Sequence, residues 1–407
     1  MLMKRTAIVC ILFICSLLST AQTQTDSCSM QISLLTVGPG TDLDALFGHT
    51  AIRVQDLKRG MDIVYNYGTF DDTDPLFYLR FMRGIMLYSV SVSTYHYFME
   101  EYQYGHRSVV AQVLNLDCSE KNQLYESLRK NTLEENRYYQ YHFHTDNCTT
   151  RAARIIEDNT HEPLQYGNVL LVNSSAGHPQ GMSYRSMIHE YLDKQHAYWS
   201  EMGIDFLLGS NLDIYPTNTE AIHFLPDYLY RGMDSAHTGT RSMVSERQTL
   251  LTFPDTKMTE SWFTPVAVLN FVFLASLLLY FLRLKRALLI FDISFFTLLG
   301  LTGILMAFMW LGRIDDVCAK NINILWALPT HIVAVFFIRK KAVWIKYYFL
   351  ITAILAGGLL IGFPWWTQRM NTATLPVLGI ILFRSFQLFQ NQNHAEKPVV
   401  QKWNAGI

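Results

Sequence analysis

From residue 262 to residue 389 very few charges interrupt the chain, and that one feature decides what its second half can be. Five apolar stretches lie there, at about 262–282, 287–311, 322–338, 347–366 and 375–389. A bilayer core about 30 Å thick takes ~20 residues of helix to cross. The first, second and fourth stretches meet that length, and the third and fifth are short and need neighbours to pack on. The expectation is an all-α transmembrane bundle of about five helices over 262–390, with a tail at 391–407. Arg283, Lys285 and Arg286 follow the first stretch, and Arg339, Lys340, Lys341 and Lys346 separate the third from the fourth. The alternate loops hold Arg313 and Lys320 beside Asp315 and Asp316, then Arg369. Basic loops stay on the cytoplasmic side, so the tail is cytoplasmic and everything ahead of the first span lies outside. Trp262, Trp310, Trp365 and Trp366 fall near span ends, as an interfacial belt requires. Asp292 and Arg384 sit inside the second and fifth stretches at matched depth. A charge in hydrocarbon costs several kcal/mol unless paired, so these two are expected to pair with each other. His331, near Pro329, reads as a packing or hydrogen-bonding residue.

The N-terminus agrees with that orientation. Lys4 and Arg5, an apolar run over 6–18 and Ser19-Thr20-Ala21 make a secretory signal, cleaved after Ala21; residues 1–21 are read as a signal peptide. Cys10 and Cys15 lie within the apolar run and do not form a lipobox. The segment 22–255 mixes turns, charges and both periodicities, as an α+β domain does. Residues 239–261 are polar and carry Gly, Ser and Thr, so they read as a linker, of which 256–261 is taken as the boundary itself. The net charge of −1 gives no electrostatic footprint for nucleic acid. Of the cysteines past the signal, Cys28 and Cys118 flank expected strands and could form a disulfide in an oxidising compartment. Cys148 and Cys318 are left over, the latter in a short loop between spans.

Two segments carry chemistry. In "HFHTDNCTTRAARII" (142–156) residues 138–144 alternate as a strand. Asp146 or Asn147 is the N-cap, and Cys148, Ala152, Ile155 and Ile156 share one helical face. Cys148 then starts a helix, where the helix dipole and a nearby imidazolium can lower a thiol pKa from about 8.5 to ~3.5–7.5. Three uses stay open for it: a disulfide partner, a metal ligand with His142 and His144, or a thiol nucleophile. A buried inert thiol is the plain alternative. The metal set lacks a second cysteine or a HExxH helix, and the Asn147-Cys148-Thr149 sequon is a three-residue match of the kind chance supplies. In "LFGHTAIRVQDLKRGMDIVYNYGTF" (46–70) residues 50–54 and 62–69 read as paired strands about a turn at 55–60. His49 opens the first strand and falls opposite Asn66 or Tyr67, where an amide can fix the imidazole tautomer. His189 reads as a solvated or half-buried helix residue, Asp71-Asp72-Thr73-Asp74 as an acidic turn. Neither a Walker loop nor a dinucleotide fingerprint is present. Ile85, Met86 and Leu87 beside Phe77 and Phe81 could wall an apolar site, or simply pack.

Strand histidine first and helix cysteine later is the order of circularly permuted papain-like (NlpC/P60-like) enzymes. "LFGHTAIRV", "VYNYGTF", "FYLRFMRG", "DNCTTRAARII" and "FLPDYL", in that order before a membrane bundle, resemble the N-terminal periplasmic domain of the Lnb family of lipoprotein N-acyltransferases. The likeness covers most of 28–230. It implies a multi-pass inner-membrane protein with a periplasmic thiol acyltransferase domain that needs no cofactor or metal. Cys148 would be the nucleophile, His49 the base and Asn66 the third member, with Tyr65 or Tyr67 in its place if the register shifts. The implied partners are a membrane phospholipid as acyl donor and a diacylated lipoprotein as acceptor. A membrane-tethered cysteine peptidase or amidase acting on cell-wall peptides is the alternative, and a non-catalytic receptor on the same scaffold the third. An apolar slot opening toward the first span would favour acyl transfer; a polar, acidic groove would favour the peptidase.

Overall fold

The computed structural model describes residues 28–395 apart from 43, 71, 72, 74, 171–180, 255–257, 259–261 and 341. The signal at 1–21, most of the acidic turn, most of the boundary at 256–261 and most of the 391–407 tail lie outside the described residues.

The first part of the chain runs β1 Met30–Val37, β2 His49–Asp56, β3 Met61–Thr69, α1 Phe77–Met82, β4 Leu87–Thr94, α2 Tyr95–Tyr104, β5 Val109–Leu114, α3 Cys118–Asn131, β6 Tyr138–Gln140 and α4 Cys148–Glu157. It continues through α5 Tyr184–Lys194, α6 Tyr198–Leu207, α7 Asn218–Ile222, α8 Pro226–Ser235, the short strands β7 His237–Thr238 and β8 Arg241–Ser242, and β9 Val244–Leu251. Seven strands make one antiparallel sheet in the order β6-β4-β3-β2-β1-β5-β9. The period of two sorts its faces. Leu35, Val37, Ala51 and Val64 pack on Phe98 and Tyr102 of α2, while Ile32, Leu34, Ile52, Val54, Tyr65 and Tyr67 face the core shared with α3, α4, α5 and α8.

Two sequence expectations change here. The polar stretch read as a linker contains β9, which pairs along β5 from Val109↔Leu251 to Leu114↔Val244. Its side chains are mostly exposed because it is an edge strand, and an edge strand can be polar without leaving the sheet. The Cys28–Cys118 pairing rested on both flanking strands, but Cys118 opens the helix α3 instead, with Asn122 Nδ2 donating to its sulfur at 3.8 Å.

The C-terminal part consists of α9 Pro265–Phe281, α10 Lys285–Gly312, α11 His331–Val335, α12 Val343–Gly362 and α13 Thr374–Ala395. Among the described residues, the helices at Lys285–Gly312 and Val343–Trp365 are long and apolar enough to cross a membrane; α9 is apolar but shorter. The third apolar stretch forms a 3-10 turn at Ile322–Leu325 and then only the five-residue α11. Pro329 lacks a donor and disfavours helix in the residue before it, and the Asn321 side chain closes a local turn by accepting from Asn323 N. Arg384 meets Asp292 through two 2.8 Å hydrogen bonds, the expected buried pair. His331 is buried and bonded to the Tyr348 hydroxyl at 2.7 Å.

The two parts are docked on each other. Ile314 N donates to Arg83 O, Gly209 N to Val317 O, and Asn321 Nδ2 to Phe206 O. Arg185 of α5 lies fully buried beneath this seam, bonded to Asp205, Asp213 and the carbonyls of Leu208 and Gly209. His189, expected at a solvated face, is buried against Asp205 at 2.9 Å instead. Alternating helix periodicity shows that a residue faces something, not that a second group of helices lies there.

Candidate active site

The site is assembled at the sheet end where β3 finishes and β2 begins. Gly48, just ahead of β2, has φ +78°, and a Cβ there would lie 2.5 Å from Val37 O. Only glycine makes this turn without strain, and it delivers His49 to the first position of the strand. His49 lies on the α2 face, with its ring stacked near Tyr102 at 6.5 Å between centroids. Asn66 sits opposite Ala51, two places along from His49 on the same face. The hydrogen bond is therefore diagonal: His49 Nε2 meets Asn66 Oδ1 at 3.3 Å, and Asn66 Nδ2 turns to Ser93 Oγ at 3.4 Å. With Oδ1 as the acceptor, Nε2 carries the proton and Nδ1 is the basic nitrogen. Tyr65 and Tyr67 point into the core on the other face and do not take Asn66's place.

Cys148 arrives from the other side. Of the two expected caps, Asn147 is the one used: its Oδ1 accepts from Thr150 N at 2.9 Å, and its Nδ2 donates to Phe143 O and Phe224 O. Such a cap contributes about 1 kcal/mol and here also fixes the helix start in space. The buried Asn147 amide is thereby committed, which removes the sequon as a surface acceptor. Asp146 clamps Arg151 through two 2.7 Å bonds, and Arg151 stacks on Tyr139 at 3.6 Å. Ala152, Ala153, Ile155 and Ile156 bury the helix face, each isoleucine contributing roughly 1.5–3 kcal/mol. Gly68, at a bulge in β3 with φ +91°, leaves room for the cysteine: a Cβ on Gly68 would stand 3.5 Å from that of Cys148.

The cysteine helix and the histidine strand are tied at this end of the sheet. The Cys148 sulfur meets Thr149 Oγ1 at 3.9 Å, and the backbone N–H groups of Thr50, one residue past His49, and of Thr149 lie close enough to pull the thiol pKa down. Behind them Thr50 Oγ1 meets Thr149 Oγ1 at 3.1 Å. Cys148 is a free thiol. His142 Nδ1 is engaged by the Thr145 hydroxyl at 2.9 Å, and His144 packs on Tyr184. Among the described residues, the clusters whose ligand atoms converge are Asp117–Glu120–His161 and His189–Glu201–Asp205, so the metal set of Cys148 with His142 and His144 is not gathered.

The electrostatics differ from the sequence expectation. Burial pushes the Cys148 thiol up, against the smaller downward pull of its N–H donors. Burial, helped by the nearby Arg107 guanidinium, lowers His49 to about 4, and the Asn66 bond offsets only part of that. Neutral thiol and neutral imidazole, rather than a thiolate–imidazolium pair, are the resting state, because the pocket is too dry to hold two charges cheaply. A neutral thiol becomes a nucleophile only where a base takes its proton as the sulfur attacks, which is the chemistry an imidazole at this sheet end could supply. A lowered base pKa keeps the imidazole unprotonated down to about pH 4, so the acid limb of thiol acylation is expected near pH 4, not near 6.5. A pH profile of ester-dependent acylation of Cys148 measures this; a half-point at 6.5 contradicts the buried imidazole.

Aromatic side chains pack close to the thiol. Phe77 stacks on Phe70 at 5.2 Å, Phe70 on Tyr88 at 5.1 Å, and Tyr88 meets Tyr141 at 4.4 Å. Burial raises the Tyr88 and Tyr141 phenols, and the closeness of Cys148 raises them further. At the far end of this ladder α1 exposes Leu79 and Phe81. Arg313, just past α10, donates to Phe81 O at 2.7 Å. The aromatic ladder thus ends beside the end of α10 rather than at the first span. Of the residues here, Thr50, Tyr88, Tyr102, Arg107 and Tyr141 carried no motif signal; they are assembled only by strand order.

Two family models match the chain: the Lnb N-terminal periplasmic domain over residues 18–196, and the Lnb transmembrane domain over residues 257–394. No curated protein and no solved structure matches it.

Proposed function

The chain belongs to the Lnb family, and from that premise we propose that it is a lipoprotein N-acyltransferase of the inner membrane, built on a circularly permuted papain-like domain facing the periplasm. The observation that supports the reading is the start of the Cys148 helix fixed to the His49 strand through Thr149 and Thr50, beside a ladder of aromatic rings that runs to the membrane part. In the first half-reaction Sγ of Cys148 attacks an ester carbonyl of a phospholipid and His49 Nδ1 takes the thiol proton. The C–O bond to glycerol breaks and the proton passes to the leaving hydroxyl, leaving an acyl thioester and a lysophospholipid. In the second, the α-amine of a diacylglyceryl-cysteine lipoprotein attacks the thioester. His49 accepts a proton from that amine, the C–S bond breaks, and the thiolate regains a proton as the amide forms. The backbone N–H of Cys148, at the start of α4, would meet the oxyanion, and Asn66 would hold the imidazole.

Hydrolysis competes with aminolysis unless water is kept out. The Phe70–Phe77–Tyr88–Tyr141 ladder supplies apolar surface for that, and it favours a lipid chain over the polar groove a cell-wall peptidase needs. The test is the N-terminus of a lipoprotein incubated with the full-length protein and phospholipid. Mass spectrometry is expected to find a third acyl chain on the amine. A lipoprotein that stays diacylated, or is cut, sinks the reading.

A further inference from the structure

Arg107 stands in the turn between α2 and β5, at the same sheet end as His49 and Cys148. Its Nε donates to Gly38 O at 2.9 Å, and its guanidinium lies over the Tyr102 ring at 4.9 Å. The same ring stacks near His49. Its Nη2 is buried and has no hydrogen-bond partner. Asp44, Glu101, Tyr102 and Cys148 face it electrostatically, but among the described residues no carboxylate lies within ion-pair distance. A buried guanidinium N–H left unbonded is costly, and beside a thiol and an imidazole it is a donor that a ligand can complete.

The strand order says what that ligand is. Across the sheet end stand Tyr88 on β4, Gly68 with Cys148 at β3, His49 on β2, Gly38 past β1 and Arg107 before β5. The aromatic ladder lies on one side of the sulfur and the guanidinium on the other. A glycerophospholipid laid with an acyl chain along the ladder and its ester over the sulfur extends its phosphate to the opposite side. We propose that Arg107 is the donor-recognition residue of this site, binding the phosphodiester of the acyl donor through its unpartnered Nη2. This rests on the acyltransfer reading above and adds to it the chemical group by which the donor is selected. Guanidinium suits a phosphate because it offers paired donors in a plane.

The test uses the full-length protein in detergent with two donors of matched chains, phosphatidylglycerol and diacylglycerol, which share the ester and differ in the phosphate. Acylation of Cys148 is followed by intact-mass spectrometry at pH 8, where the imidazole is neutral with or without Arg107. R107Q is expected to slow acylation from phosphatidylglycerol by about 10- to 100-fold, in line with loss of a charge-assisted bond, and to change acylation from diacylglycerol less than about twofold. R107K is expected to recover part of the phospholipid rate. Removal of the guanidinium also raises the His49 pKa, so the acid limb moves up for both donors. Equal slowing with both donors, or none with either, overturns the proposal. A wild-type protein that forms no thioester from any donor instead removes the acyltransfer reading, and this one with it.

Discussion

Replacing Cys148 with alanine is expected to abolish acyl-enzyme formation, and replacing His49 with alanine to slow it by about 10²–10⁴-fold. The two losses have different origins. Without Cys148 there is no atom to carry the acyl group. Without His49 the thiol remains, but burial holds its pKa above the usual thiol value, so very little thiolate forms unaided. A thiol that already lived as thiolate would tolerate loss of the base far better, which makes the His49 variant a direct test of the neutral resting pair. Asn66→Ala removes only the acceptor that fixes the tautomer, and about tenfold is expected for it, the rough worth of one neutral hydrogen bond. Incubation with phospholipid, followed by intact-mass spectrometry and hydroxylamine treatment, separates the cases. The wild type gains one acyl mass that hydroxylamine removes, and the alanine variant at 148 gains none. Acylation of the Cys148→Ala protein at the wild-type rate would place the chemistry elsewhere. Cys148 is small and half-buried, so a melting curve close to wild type is expected and serves as the folding control.

Much of this site was legible before any coordinates, and what was not has a physical reason. The hairpin carrying His49 and Asn66 alternates cleanly and closes on a tight turn, so pattern alone brings the two together. The turn is a 3-10 segment over Leu57–Arg59, which moves the register and sets Asn66 opposite Ala51. The helix at Cys148 announces itself by its cap and apolar face. Arg107 carries no such signal, because it comes to this end of the sheet only through the pairing of β5 with β1, a long-range event that residue order does not encode locally. The third apolar stretch reads as a span by hydropathy, but Pro329 and the Asn321 turn break it. β9 reads as linker because an exposed edge strand needs few apolar residues. The expected lowering of the thiol pKa failed for a related reason: helix position is visible in sequence, whereas depth of burial is not.

The largest expected effect on stability belongs to Arg185. This side chain is fully buried, and its Nη1 donates to Asp205 Oδ1 at 2.8 Å and its Nε to Asp213 Oδ1 at 2.9 Å. The same two carboxylates hold the membrane part. Asn371 Nδ2 donates to Asp205 Oδ2 at 3.0 Å, Asn323 Nδ2 to Asp205 O at 2.9 Å, and Arg369 N to Asp213 Oδ1 at 3.1 Å. Arg185→Met keeps the volume and deletes the cation, stranding two buried carboxylates. Breaking such a pair from one side costs roughly 3–5 kcal/mol, more than the intact pair contributes over an apolar replacement. Arg185→Met is therefore expected to unfold at a clearly lower temperature in detergent. Faster amide exchange should appear in α6 and in the segments 313–323 and 366–371, which meet it across the seam. Adding Asp205→Asn and Asp213→Asn to Arg185→Met is expected to restore part of the loss, since the stranded charges are then gone. A triple variant less stable than Arg185→Met would mean that the carboxylates contribute through their bonds to Asn371 and Arg369 rather than through Arg185. Exchange unchanged at 313–323 would mean that the seam is held by its backbone contacts alone.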